Sequence, residues 1–125
     1  MTDKKILLVD DDTDLLRGMA FTLRASGYQV VNAQDALTAV STARDTHPDL
    51  IVLDIGLPGG DGFQVMERLK DLMILTPVIV VSAKESGPNR KRALQAGAQA
   101  FFQKPVDRVQ FMFAVRRVLN LTPDE

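Results

Sequence analysis

The chain has 125 residues, 46% hydrophobic and 25% charged, with a formal net charge of −1. This size suits one domain with a real core, and the near-neutral balance argues against bulk electrostatic attraction to nucleic acid or an anionic membrane. Cysteine is absent, which excludes disulfides, thiolate metal sites and cysteine nucleophiles. The apolar run after "MTDKK" is too short for a signal peptide, and no stretch approaches the ~20 apolar residues of a membrane span. A single cytoplasmic domain is expected, without a membrane or a direct nucleic-acid partner.

The first apolar run, "KILLV" (5–9), reads as a strand and ends on Asp10, Asp11 and Asp12. Thr13–Ser26 follows with helical period: Leu15, Met19 and Leu23 share a face, Leu16 and Ala20 lie beside them, and Gly27 supplies a stop. "YQVVN" (28–32) is the second strand, and Gln34–Thr46 the second helix, carrying Ala36, Leu37, Val40 and Ala43 until Pro48 bars continuation. "DLIVLD" (49–54) ends on Asp54 before the Gly/Pro-rich loop "IGLPGGDG", after which Phe63–Leu72 presents Phe63, Met66 and Leu69. "PVIVV" (77–81) leads into Ser82, and a short helix over Asn89–Ala96 ends at Gly97. "AFFQ" (100–103) precedes Lys104, and a last helix spans Asp107–Leu119. The strands are mostly continuous apolar runs rather than alternating ones, the pattern of strands covered on both faces. Five alternating βα units predict a largely parallel sheet with helices on both sides. Residues 1–121 form the domain, and 122–125 read as a tail or the start of a linker.

In such sheets the functional crevice lies at the carboxyl ends of the strands, where strand order reverses. The residues that close the strands are therefore the candidates. A lone Asp after a strand is commonly a turn residue, and a lone Lys is commonly solvated. Asp10–Asp12, Asp54, Ser82 and Lys104 at four strand ends of one short chain make a stronger combined signal. Converging carboxylates suit a hard divalent cation, Mg²⁺ or Mn²⁺. Lys104 is a point charge suited to a phosphoryl oxygen or to Asp54, and Ser82 can donate a hydrogen bond to an anion there.

With "LLVDDD" (7–12), "IVLDIGLPGGDGF" (51–63), "VIVVSA" (78–83), "ALQAGA" (93–98) and "FQKP" (102–105), the chain resembles the receiver domain of two-component response regulators over nearly its whole length. The resemblance implies a flavodoxin-like, doubly wound (βα)5 fold with strand order 2-1-3-4-5. It implies that Asp54 accepts a phosphoryl group from a sensor histidine kinase or a histidine phosphotransfer protein. It further implies that Asp10, Asp11, Asp54 and the backbone carbonyl of Gly56 bind Mg²⁺, and that Ser82 and Lys104 contact the phosphoryl group. Ser82 and Phe101 match the switch positions. Phe101 stands where the family often has tyrosine, so it lacks the hydroxyl that would hold an inward ring by a hydrogen bond.

Some residues depart from the family pattern. Gly60 replaces a usual methionine and should loosen the loop beside Asp54. Lys91 replaces a usually buried apolar residue, so the fourth helix either lays the lysine stem along the core or packs weakly and moves easily, the second being favoured here. Gly56 and Lys84 are placed to tune the lifetime of the phosphoryl group. Phe111, Val115 and Val118, flanked by Met112 and Leu119, should face the core, leaving Val109 and Phe113 exposed. These two, with Arg90 and Arg92 of the basic run 90–92, are the expected partner surface on the face of the fourth helix, fifth strand and fifth helix, with a homodimer as one use. The basic run also reads as an ordinary solvated face.

The leading functional reading is a phosphorylation-switched signalling module and not an enzyme in the ordinary sense. Two alternatives remain: a receiver belonging to a longer regulator with a C-terminal DNA-binding output, and a Mg²⁺-dependent phosphohydrolase with Asp54 as nucleophile. Against the last, no carboxylate lies two residues after Asp54 to act as general acid.

Overall fold

The computed structural model describes residues 3–57, 61–83 and 87–120. Five strands alternate with five helices: β1 (Lys5–Val9), α1 (Thr13–Ala25), β2 (Gln29–Ala33), α2 (Ala36–Thr46), β3 (Leu50–Asp54), α3 (Gly62–Asp71), β4 (Val78–Ser82), α4 (Gly87–Gln95), β5 (Ala100–Gln103) and α5 (Arg108–Asn120). All pairings are parallel, in the order β2-β1-β3-β4-β5. The flavodoxin-like arrangement expected from the resemblance is the one found. Gly60, Lys84 and residues 122–125 lie outside the described residues.

The strand pleat sends successive side chains to opposite faces, and the core divides accordingly. Leu7, Val9, Ile51, Leu53 and Val80 pack with α2, α3 and α4, around Ala39, Ala43, Val65, Met66, Leu69 and Ala93. Ile6, Leu8, Leu50, Val52, Ile79 and Val81 pack with α1 and α5, around Leu16, Ala20, Leu23, Phe111 and Val115. Fully burying one such aliphatic side chain stabilises by about 1.5–3 kcal/mol, so the central strands anchor both layers. Neighbouring Phe101 and Phe102 separate the same way. Phe101 joins the first layer, while Phe102 meets Phe111 edge to face at 5.9 Å.

The α2 stripe differs from expectation. Ala36, Ala39 and Ala43 are the buried residues, and Leu37 is 72% exposed. Residue 37 sits one position, about 100° of helix rotation, away from the inward line set by the alanines. Helix α4 buries only Ala93, and Lys91 is exposed. The weakly packed form of this helix is thus the one observed.

Candidate functional site

Strand register decides which residues meet. Val9 pairs with Leu53, so Asp10 and Asp54 leave β1 and β3 side by side at the point where strand order reverses. Asp54 pairs with Val81, and Ser82 with Gln103, which brings Ser82 and Lys104 to the same end. The Lys104 N–H donates to the Ser82 carbonyl at 2.8 Å and ties those two strand ends together. On the far side, α3 begins at Gly62, where a side chain has no room: an added Cβ would lie 2.7 Å from Ile55 Cα and 2.8 Å from the Asp54 carbonyl oxygen. Glycine therefore lets α3 press against the end of β3.

Among the described residues, the buried polar side chains are Asp10, Asp54 and Ser82. Burying charge is costly unless it is paired, and here the pairing is local. Lys104 Nζ lies 2.7 Å from Asp10 Oδ2 and 3.3 Å from Asp54 Oδ2. Asp54 Oδ1 accepts from the Gly56 N–H at 3.0 Å, and Asp10 Oδ1 accepts from the Asp12 N–H at 3.0 Å. Asp10 Oδ2 is at ion-pair distance from Lys104 but receives no well-directed hydrogen bond.

Burial pushes the Asp10 carboxyl above its ordinary value, and the Asp54 charge adds to the rise; the Lys104 ammonium and the Asp12 N–H oppose it without cancelling it. For Lys104, burial favours the neutral amine, yet the two carboxylates outweigh it and hold the ammonium above the usual lysine value.

Asp10, Asp11 and Asp54 each offer one oxygen, and these lie within 4.8 Å of one another. An all-oxygen, carboxylate-rich set fits a hard cation such as Mg²⁺ or Mn²⁺. The buried Asp10 oxygen without a directed hydrogen bond is a donor still available to it. Asp12 also borders this site, but it is not part of the carboxylate cluster: its side chain accepts from the Asp14 and Leu15 amides and caps α1. Asp61 likewise caps α3 through the Gln64 amide.

A cavity of about 510 Å³ opens above these groups, lined by Asp11, Asp54, Ser82 and Lys104 and also by Phe63 and Arg92. Arg92, expected with Arg90 on the partner surface, lies instead at this mouth, its guanidinium 3.9 Å from the centre of the Phe63 ring. Arg90 lies across α4 from it, 5.9 Å from the centre of the Phe101 ring. The reason is helical: two residues are about 200° apart, so Arg90 and Arg92 cannot share a face. No signal in the sequence ties Arg92 to the site, because residues 89–92 are all polar and give the helix no apolar stripe to orient it. Phe101 is buried. Val109 and Phe113 are exposed, at 78% and 65%.

The model of the response regulator receiver domain family matches residues 6–116. Among curated proteins, the chain is 37% identical over 120 residues to the transcriptional regulatory protein PrrA of Mycobacterium bovis, covering 96% of this chain and 52% of the relative. The chain thus spans about half the length of the curated relatives it matches. Among solved structures, the receiver domain of the Francisella response regulator 1452 superposes with a TM-score of 0.91 at 26% identity, covering 97% of this chain and all of that one. The non-phosphorylated HemR receiver domain of Leptospira biflexa superposes with a TM-score of 0.88 at 31% identity, covering 98% of this chain and 99% of that one.

Proposed function

The chain belongs to the response regulator receiver domain family, and from that premise we propose that it is a two-component signalling module phosphorylated on Asp54 by a sensor histidine kinase or a histidine phosphotransfer protein. The observation that carries this reading is the placement of a buried carboxylate, Asp54, at the topological switch point between Asp10 and Lys104. In the transfer, an Asp54 oxygen forms a bond to phosphorus as the bond to the donor imidazole breaks. The donor brings the reactive phosphoryl group, so the domain has only to position and to neutralise.

Asp10, Asp11, Asp54 and the Gly56 carbonyl would hold Mg²⁺ or Mn²⁺, which when bound supplies charge neutralisation for the phosphoryl oxygens. Lys104 approaches from the other side. The Gly56 N–H, which donates to Asp54 Oδ1, fixes the rotamer of the accepting carboxylate. Ser82 then contacts the new phosphoryl oxygens, and Ser82 with Phe101 passes the change to the surface of α4, β5 and α5. The buried position of Phe101 supports a role as a packed wall of that relay. Exposed Val109 and Phe113 on α5, together with Arg90 on α4 over the Phe101 ring, form the surface for a partner or a second copy.

The test is intact-mass spectrometry after incubation with acetyl phosphate and Mg²⁺. Wild type is expected to gain one phosphoryl group with Mg²⁺ and none when EDTA is present from the start, and Asp54→Asn to gain none in either case. An adduct that persists in Asp54→Asn would overturn the assignment.

A second reading concerns the output. The match to a relative named as a transcriptional regulator, of which this chain spans about half, favours a receiver that controls a DNA-binding domain over one that acts alone. The length of the native open reading frame discriminates the two. Steady turnover of a phosphate ester, abolished in Asp54→Asn, would instead revive the phosphohydrolase reading.

A further inference from the structure

We propose that Arg92 is a second phosphoryl-binding cation, held on the Phe63 ring at rest and drawn to the phosphoryl group once Asp54 carries it, bringing α4 with it. The inference rests on Asp54 being the phosphoacceptor. Arg92 lines the same cavity as Asp54 and Lys104, and nothing in the receiver motifs assigns it a role.

Lys104 is already divided between Asp10 and Asp54 at 2.7 and 3.3 Å. The Asp61 carboxylate, also on the cavity wall, is occupied in capping α3. Arg92 has no carboxylate partner among the described residues; its contact is with an aromatic face at 3.9 Å. A guanidinium over a ring at an exposed site is weakly held, whereas guanidinium and phosphoryl oxygens form paired, charge-assisted hydrogen bonds. The exchange of ring for phosphoryl group is therefore downhill when a phosphoryl group appears within reach.

The helix that carries Arg92 is free to respond. Helix α4 buries only Ala93, so little apolar packing resists a small shift. Asn89, one turn before Arg92, lines the cavity too, so one face of α4 already looks into the site. Arg90, on the opposite face, lies over Phe101. A pull on Arg92 thus changes the contact between α4 and β5 and gives the phosphoryl charge a route to the partner surface that does not need a tyrosine at position 101.

The experiment uses beryllofluoride, a phosphoryl analogue, with Mg²⁺. Fluorine NMR measures adduct formation, and hydrogen exchange measures protection of residues 87–95. Wild type should form the adduct and gain protection across α4. R92A should still form it, with about tenfold weaker affinity, and should gain no α4 protection. R92K should recover part of the affinity, because it restores the charge without the planar fork. F63L, which removes the resting partner but keeps the bulk, should bind at least as tightly as wild type. Wild-type affinity and α4 protection in R92A would overturn the proposal. So would a loss in F63L as large as that in R92A, which would make the Arg92–Phe63 contact merely structural. Failure of wild type to form any adduct would overturn the Asp54 reading itself and this inference with it.

Discussion

Asp12 accepts the Asp14 and Leu15 amides at 3.0 and 3.1 Å, whereas Asp10, two residues earlier, is buried against Asp54 and Lys104. Their substitutions should separate cleanly. Asp12→Ala should cost about 1 kcal/mol of stability through loss of the α1 cap, while Mg²⁺ affinity by calorimetry stays near wild type. Asp10→Asn should do the reverse. In the native state the Asp10 carboxyl is raised above its ordinary 3.8 by burial, so ionisation there disfavours the fold. Its contribution to stability is therefore lost as pH rises from the ordinary carboxylate range through the raised value. Without metal, Asp10→Asn should melt above wild type at neutral pH. That difference should shrink as pH falls through Asp10's titration, where the wild-type side chain also becomes neutral. A thermal-melt series in EDTA checks both the sign and the trend, and the stabilisation by Mg²⁺ expected for wild type should vanish in the variant.

At the level of elements, α3 and α5 carry the next tests. Gly62→Ala places a methyl group within 3 Å of the Ile55 and Asp54 backbone, and such overpacking costs roughly 1–3 kcal/mol. Chemical denaturation should show that loss, and phosphorylation by acetyl phosphate should slow because β3 presents Asp54. Phe113→Asp alters an exposed position, so stability should change by less than about 0.5 kcal/mol. Phosphorylation-dependent self-association or partner binding should be lost, and sedimentation in the analytical ultracentrifuge reads this directly. Unchanged association would remove Phe113 from the partner surface. Element types were legible because continuous apolar runs and 3.6-residue periods are strong signals, and the α5 stripe of Phe111, Met112, Val115, Val118 and Leu119 is buried as its spacing requires. Leu37 and Arg92 mark the limit. On α2, alanines rather than leucine face the sheet. On α4, one buried alanine leaves the rotation of the helix to be set by tertiary contacts such as the Phe63 ring.

For the whole molecule, parallel order converts residues far apart in sequence into one site: positions 10, 54, 82 and 104 meet because β1, β3, β4 and β5 are consecutive in the sheet. The residue pattern shows that the strands are parallel and doubly covered; their order came from the resemblance, since apolar runs do not say which neighbour each strand takes. The most direct test of the account is to locate the phosphoryl group chemically. After treatment with acetyl phosphate and Mg²⁺, borohydride reduction converts an aspartyl phosphate to homoserine, and peptide mapping reads the position. Homoserine is expected at residue 54 alone. Homoserine at Asp10 or Asp11, or at none of the three while an adduct is present, would contradict it.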